Sequence, residues 1–174
     1  MTLELIIKSL YFMLPAYFAN MAPVIAKKIP FLVYPIDFGK TLKNKPIFGK
    51  NKTFRGLFFA VLFGIIVAFI QYKLKWSYSI VDYSNWILIG FLLGFGAIIG
   101  DLIKSFFKRR LNIKPGQRFF PWDQLDFVIG ALVFASFVVK LELSIIVTII
   151  IVSILGHIIV NHCAFYLKIR KEKW

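Results

Sequence analysis

Acidic residues are scarce in this chain of 174 residues: eight Asp and Glu stand against 22 Lys and Arg, a formal net charge of +14. Cysteine occurs once, which excludes a disulfide framework and a cysteine-rich metal site. No repeat of fixed period and no low-complexity linker divides the chain, so residues 1–174 read as a single domain. The G-x-x-x-x-G-K-[ST] order of a Walker A loop is absent, and no Ser-His-Asp set presents itself. What is abundant is apolar: 59% of the residues are hydrophobic and 18% aromatic. A soluble domain is ordinarily about 45–50% apolar, and one of this length has no core large enough for such an excess. Disorder needs low hydrophobicity, which excludes a disordered basic tail. What remains is a small integral membrane protein with a strongly basic polar part.

A helix crossing about 30 Å of hydrocarbon needs roughly 20 mostly apolar residues. Five stretches present themselves, at 3–22, 56–72, 86–103, 125–139 and 143–167. The first has Glu4 where a signal peptide is basic, is broken by Lys8 and lacks a small-x-small cleavage site, so a retained helix is expected. The fourth is short, and its uninterrupted run from Phe127 to Val139 would suit a buried helix or a re-entrant segment almost as well. The third holds Gly90, Gly94, Gly96 and Gly100, a small-x-x-x-small spacing that lets a neighbouring helix, or a second copy in a homodimer, approach closely.

Short loops rich in Lys and Arg stay cytoplasmic. Of the 22 basic residues, 18 fall between Lys27 and Arg55, between Lys104 and Arg118, or after Leu167. With the acids included, that side carries +13 and the other +1. The expected fold is therefore all-α: a polytopic integral membrane protein with five transmembrane helices, amino terminus outside, carboxyl terminus cytoplasmic, and two long cytoplasmic loops. Attraction of basic loops to anionic lipid explains such a face without any ligand. Nucleic acid is not needed to account for the charge.

Three aspartates within the basic face ask for more. Asp101 ends the third stretch, and Asp123 and Asp126, three residues apart, open the fourth and share a helix face. Carboxylates in membrane segments generally face a polar cavity or a partner. Ion pairs with nearby Lys and Arg explain one aspartate, whereas three acids converging from two helices also make a site for hard cations. Lys104, Ser105 and Lys108 follow Asp101 at i+3, i+4 and i+7, on the same stripe, with Arg109 one step round. A turn at Pro115-Gly116 returns the chain through Pro121-Trp122, bringing Asp123 and Asp126 back toward Asp101. The first loop, PIDFGKTLKNKPIFGKNKTFRG from Pro35, spaces Gly39, Gly49 and Gly56 among lysines, a composition that admits phosphate.

Gly100-Asp101, Ser105, Lys108-Arg109, Lys114 and Asp123-Gln124-Leu125-Asp126 together resemble the S-x-x-K-R-x4-K…D-x-x-D signature of the CDP-diacylglycerol synthase family. Lys52-Thr53-Phe54-Arg55-Gly56 is similar to the K-T-x-E/R-G element of the same superfamily. The bacterial H-G-G before the acidic pair is replaced by Phe120-Pro121-Trp122, and Gln124 stands for the usual Arg. With Asn20-Met21-Ala22-Pro23 in the first stretch and His157 and Asn161 in the last, these departures resemble the archaeal branch. The resemblance implies a membrane cytidylyltransferase that joins CTP to an isoprenoid ether lipid phosphate, releases pyrophosphate and uses Mg2+. It implies that Asp101, Asp123 and Asp126 hold one or two divalent ions. Lys52, Arg55, Lys108 and Arg109 would then bind phosphates with Ser105 and Thr53 in support, and Asp37 and Asn20 would serve the nucleotide end. The nucleophile is a phosphate oxygen already ionised at neutral pH, so positioning and charge neutralisation are the chemical demands.

Two other classes share some of these features. An anion or lipid transporter has a basic rim but places charge near the midplane or repeats broken helices in two halves. A structural membrane subunit leaves the clustered aspartates unexplained. His157, Asn161 and His162 fall at i, i+4 and i+5, which puts the two rings on different helix faces and favours interhelical hydrogen bonding over zinc. Cys163 reads as a small buried apolar residue.

Overall fold

Thr2 opens the first helix: its hydroxyl accepts a hydrogen bond from the Leu5 amide at 3.3 Å, and an exposed Glu4–Lys8 pair at 2.7 Å braces the first turn. A computed structural model describes residues 2–166, the side chains of Asn161 and of 163–165 excepted. Helix α1 runs Leu3–Ile25 and α2 Phe54–Leu74, followed by α3 Trp86–Arg110, α4 Trp122–Ala135 and α5 Leu143–Tyr166. A two-residue hairpin, β1 Thr41–Leu42 and β2 Lys45–Pro46, interrupts the first basic loop. Its turn residues Lys43 and Asn44 have φ of 51° and 57°, the paired positive values of a tight hairpin turn. The otherwise all-helical architecture thus carries one small strand pair that the loop composition did not announce.

Four segments, Leu3–Lys28, Phe54–Leu74, Tyr83–Arg110 and Leu143–Val160, are long and apolar enough to cross a membrane. The protein is a multi-pass membrane protein. Helix α4 differs from the expected 125–139 span: it begins at Trp122, so Asp123 lies in its first turn, and its 14 residues cover only about 21 Å. Helix α3, with 25 residues, reaches about 37 Å, longer than about 30 Å of hydrocarbon, and carries Lys108 to Arg110 in its last turn.

Helix α3 is the central post, packed on α1, α2 and α4. Its two glycine stripes serve different neighbours. A Cβ on Gly90 would stand 2.6 Å from the Ile65 Cα of α2, while one on Gly96 would stand 2.5 Å from the Gly130 carbonyl oxygen of α4. At Gly100 a Cβ would overlap the Asp126 carbonyl oxygen. Backbone meets backbone there, and this close approach sets Asp101 beside Asp126. Both stripes are filled within the chain, so neither is free for a second copy. The core on the remaining side is built from Phe12, Met13, Ala16 and Ala19 of α1 with Leu93 of α3 and Val128 and Ala131 of α4.

Candidate functional site

The amino-terminal ends of α2 and α4 and the carboxyl-terminal half of α3 meet at a network of lysines and aspartates. Lys104 is its hub: Nζ lies 2.6 Å from Asp126 Oδ2, 3.2 Å from Asp101 Oδ1 and 3.4 Å from Asp123 Oδ1. Lys52 makes a very short contact with the other oxygen of Asp101. Lys108 donates to both oxygens of Asp123, at 3.0 and 3.3 Å, and to the Gln117 carbonyl. Three carboxylates and three ammonium groups alternate, so the cluster is close to neutral. Burial makes that balance necessary, since an unpaired charge with its side chain only 4% exposed, as Asp126 is, would be strongly destabilising.

Local structure explains each position. Pro35 and Thr53 form an isolated antiparallel bridge, with the Ile36 amide donating to the Lys52 carbonyl at 2.8 Å and the Phe54 amide to the Tyr34 carbonyl at 3.0 Å. This ladder fixes Lys52 at the mouth of α2. Asp123 accepts from the Phe119 amide at 2.6 Å, tying the α3–α4 loop to the first turn of α4.

Two hollows adjoin the cluster, and Lys104 lines both. A polar cavity of about 180 Å³ is bounded by Gly49, Lys50, Lys52, Ser105, Lys108 and Arg109, with Gly116 at its edge. An apolar groove of about 450 Å³ runs between α3 and α4, lined by Ile99, Ile103, Phe107, Trp122, Ile129 and Val133, with Asp126 at its polar end. A polar hollow rich in cations and an apolar hollow lined by hydrocarbon side chains therefore share one ammonium wall.

The residues expected from sequence divide accordingly. Asp101, Asp123, Asp126, Lys52, Ser105, Lys108 and Arg109 come together. Thr53 does not enter the cavity lining: its hydroxyl accepts from the Gly56 amide at 3.3 Å and caps α2. Arg55 turns away, its guanidinium donating to the Ile29 carbonyl at 2.7 Å. Asp37 is buried and spends its carboxylate on the amides of Gly39, Phe48 and Gly49 at 2.9–3.0 Å, so it shapes the cavity rim at Gly49 instead of facing a nucleotide. Burial pushes the Asp37 pKa up, but the amides of Gly49, Phe48 and Gly39 outweigh it and leave the group below the usual carboxylate value. Asn20 is half-buried in α1 and makes no side-chain hydrogen bond among the described residues. His162 Nδ1 bonds the Ile158 carbonyl of its own helix at 2.8 Å. The side chains of Asn161 and Cys163 lie outside the described residues.

Two residues were missed. Lys104 lay on the Asp101 stripe, yet i+3 spacing alone does not reveal that it faces all three acids. Arg110 donates to the Leu42 carbonyl at 2.7 Å, to that of Lys45 at 3.1 Å and to that of Pro46, while Lys45 Nζ returns a bond to the Arg110 carbonyl at 3.0 Å. These bonds dock the hairpin on the end of α3.

Among the described residues, no three His, Cys, Asp or Glu form a ready-made metal cage, because lysines stand between the aspartates. The donor chemistry nevertheless fits a hard divalent ion, which takes oxygen ligands: carboxylate oxygens of three aspartates lie within 3.4 Å of one point, now held by the Lys104 ammonium.

Comparison with known proteins places this geometry. The family model described as CarS-like, CDP-archaeol synthase, matches residues 2–174. A CDP-archaeol synthase of Pyrobaculum islandicum is 36% identical over 169 residues, covering 95% of this chain and 98% of that protein. One of Thermococcus onnurineus is 36% identical over 175 residues, with full coverage of both. A solved structure of an intramembrane enzyme for archaeal membrane lipid biosynthesis superposes with a TM-score of 0.77 at 28% identity, over 90% of this chain and 94% of that one.

Proposed function

Because the chain belongs to the CDP-archaeol synthase family, we propose that it transfers the cytidylyl group of CTP to an isoprenoid ether lipid phosphate, releasing pyrophosphate in membrane phospholipid synthesis. The observation that carries the reading is the shared Lys104 wall between the polar cavity and the apolar groove. The triphosphate lies in the polar cavity against Lys52, Ser105, Lys108 and Arg109. One isoprenoid chain lies in the groove between α3 and α4, with its phosphate at the Asp126 end. A lipid phosphate oxygen then attacks the α-phosphorus, and the bond to the β-phosphate oxygen breaks. No general base is needed. Asp101, Asp123 and Asp126 would hold Mg2+, which supplies charge neutralisation on the phosphates. Thr53, Arg55 and Asp37 act by fixing the first loop, and Asn20 receives no role.

The site faces the cytoplasm in this reading, with the amino terminus outside and the carboxyl terminus inside. The fifth crossing is α4 carried on by the turn at 136–139, whose Ser136 and Val139 amides still bond the Leu132 and Ala135 carbonyls of α4. Residues 1–174 act as one catalytic domain. Any homodimer uses a surface other than the glycine stripes of α3. A transporter or a purely structural subunit has no need of the cation–acid cluster.

Purified protein in detergent should release pyrophosphate from CTP only when both Mg2+ and an ether lipid phosphate are present. Asn at Asp101, Asp123 or Asp126 should lower turnover at least about 100-fold, the scale of losing an electrostatic catalytic group. Wild-type turnover in folded variants would remove the metal assignment.

A further inference from the structure

Lys104 is placed where a metal-binding reaction least wants a lysine. Its ammonium lies 2.6–3.4 Å from all three carboxylates, so any divalent ion shared by them meets a like charge at the centre of its own donor set. Lys52 and Lys108 differ, each pairing with one aspartate from the flank. Lys104 also lines the polar cavity, which gives its side chain somewhere to go without leaving the cluster's electrostatic field. Its own aspartates come from α3 and α4, the two helices whose glycines meet backbone to backbone. Without a cation between them, three carboxylates would repel one another across that joint.

We propose that the Lys104 ammonium is an internal placeholder for the divalent ion. It holds Asp101, Asp123 and Asp126 together in the metal-free enzyme, competes with the metal for them, and swings toward the polar cavity when the metal binds. This rests on the metal assignment made above and adds a consequence: metal affinity is set by competition with a tethered cation. Lys104 is thus a positioning residue for the acids, and its own charge is released to the polar cavity only in the metal-loaded state.

The test uses the full-length protein in detergent with Mg2+ alone as the probe. Lys104→Met keeps the stem and removes the charge. Calorimetric titration should show Mg2+ binding about tenfold tighter or more than in wild type. The metal-free variant should unfold at a lower temperature than wild type, and saturating Mg2+ should restore the difference. Lys104→Arg, which keeps the charge, should retain weak wild-type-like affinity. Equal or weaker Mg2+ binding by Lys104→Met overturns the proposal. Should that variant fold only with Mg2+, the placeholder role is supported directly. A measurement on the wild-type chain covers the case in which it folds under neither condition: amine-reactive labelling read by mass spectrometry should modify Lys104 faster with Mg2+ than without. Unchanged or slower labelling of Lys104 at saturating Mg2+ overturns the placeholder. Absence of any Mg2+ binding to the wild type would instead strike the metal assignment itself.

Discussion

Replacing Gly130 by Ala tests whether the α3–α4 contact exists to hold the acids in register. A Cβ at Gly130 would overlap the Gly96 carbonyl oxygen and stand 2.9 Å from both N and Cα of Gly100. Ordinary carbon contacts lie at about 3.5–4.0 Å, so the two backbones must part by roughly 1 Å. All three obstacles are backbone atoms, and no side-chain rotation relieves them. Asp126 sits one turn before Gly130, and Asp101 follows Gly100, so the same displacement opens the 2.6 Å Lys104–Asp126 contact. A shift of that size at a site for oriented phosphate transfer costs about 100-fold in turnover, while overpacking costs about 1–3 kcal/mol in stability. Gly90→Ala supplies the control. It creates a similar clash, 2.6 Å from the Ile65 Cα, but on the α2 face and about 16 Å along α3 from Asp101. Pyrophosphate release from CTP, with lipid phosphate and Mg2+, should fall about 100-fold in Gly130→Ala and only a few-fold in Gly90→Ala, with comparable drops in unfolding temperature. Equal activity losses, or full activity in Gly130→Ala, would refute the coupling of helix spacing to chemistry.

Asp37 provides a pH test. Its folded pKa is depressed, so the stabilisation is fully present above the ordinary carboxylate value of about 3.9 and is lost as pH falls through the folded value. Hydrogen-exchange protection of the Phe48 and Gly49 amides should drop in that acid window, and Asp37→Asn should show low protection at every pH; strong protection in the variant would sink the idea. Arg110→Ala removes the bonds to the Leu42, Lys45 and Pro46 carbonyls and should raise the KM for CTP about tenfold with little change in unfolding temperature. A selective fall in kcat with unchanged KM would show that the hairpin does not shape nucleotide binding.

The sequence made the membrane character plain because hydropathy and charge need no tertiary knowledge: apolar stretches predicted five crossings, of which four are helices long and apolar enough to span, and basic residues marked one face. It predicted the acidic and basic members of the cluster because Asp101, Ser105 and Lys108 share a helical stripe and the Pro-Gly turn sends Asp123 and Asp126 back. Spacing could not show which cation stands between acids of two different helices, and so Lys104 had no role. It also could not separate phosphate ligands from groups that hold the loop. Thr53 and Arg55 belong to a motif rich in phosphate chemistry, yet one caps a helix and the other binds a carbonyl. Asp37 was open to the same error, because a carboxylate facing three backbone amides looks in sequence like one facing a ligand. The end of α4 escaped because Phe137–Val139 is as apolar as a helix interior, so hydropathy marks no boundary after Ala135.

The charge arrangement explains why a basic excess is required beyond the lysines of the cluster. Lys52, Lys104 and Lys108 are matched by Asp101, Asp123 and Asp126, so together they offer little net attraction to an incoming anion. CTP brings about −4 and a lipid phosphate up to about −2, whereas one divalent ion returns only +2. The difference has to be met by cations that no acid holds. Lys50 and Arg109 line the polar cavity and have no acidic partner among the described residues. They stand on the polar-cavity side of Lys104, so in the proposed function the nucleotide would meet unpaired charge before it reaches the neutral cluster. Among the described residues the apolar groove is lined by no cation except the acid-paired Lys104, so hydrocarbon would enter it without stripping water from an unpaired charge. In the proposed function the two substrates would be sorted by which side of one lysine they approach, and would meet only where its ammonium and the three carboxylates stand.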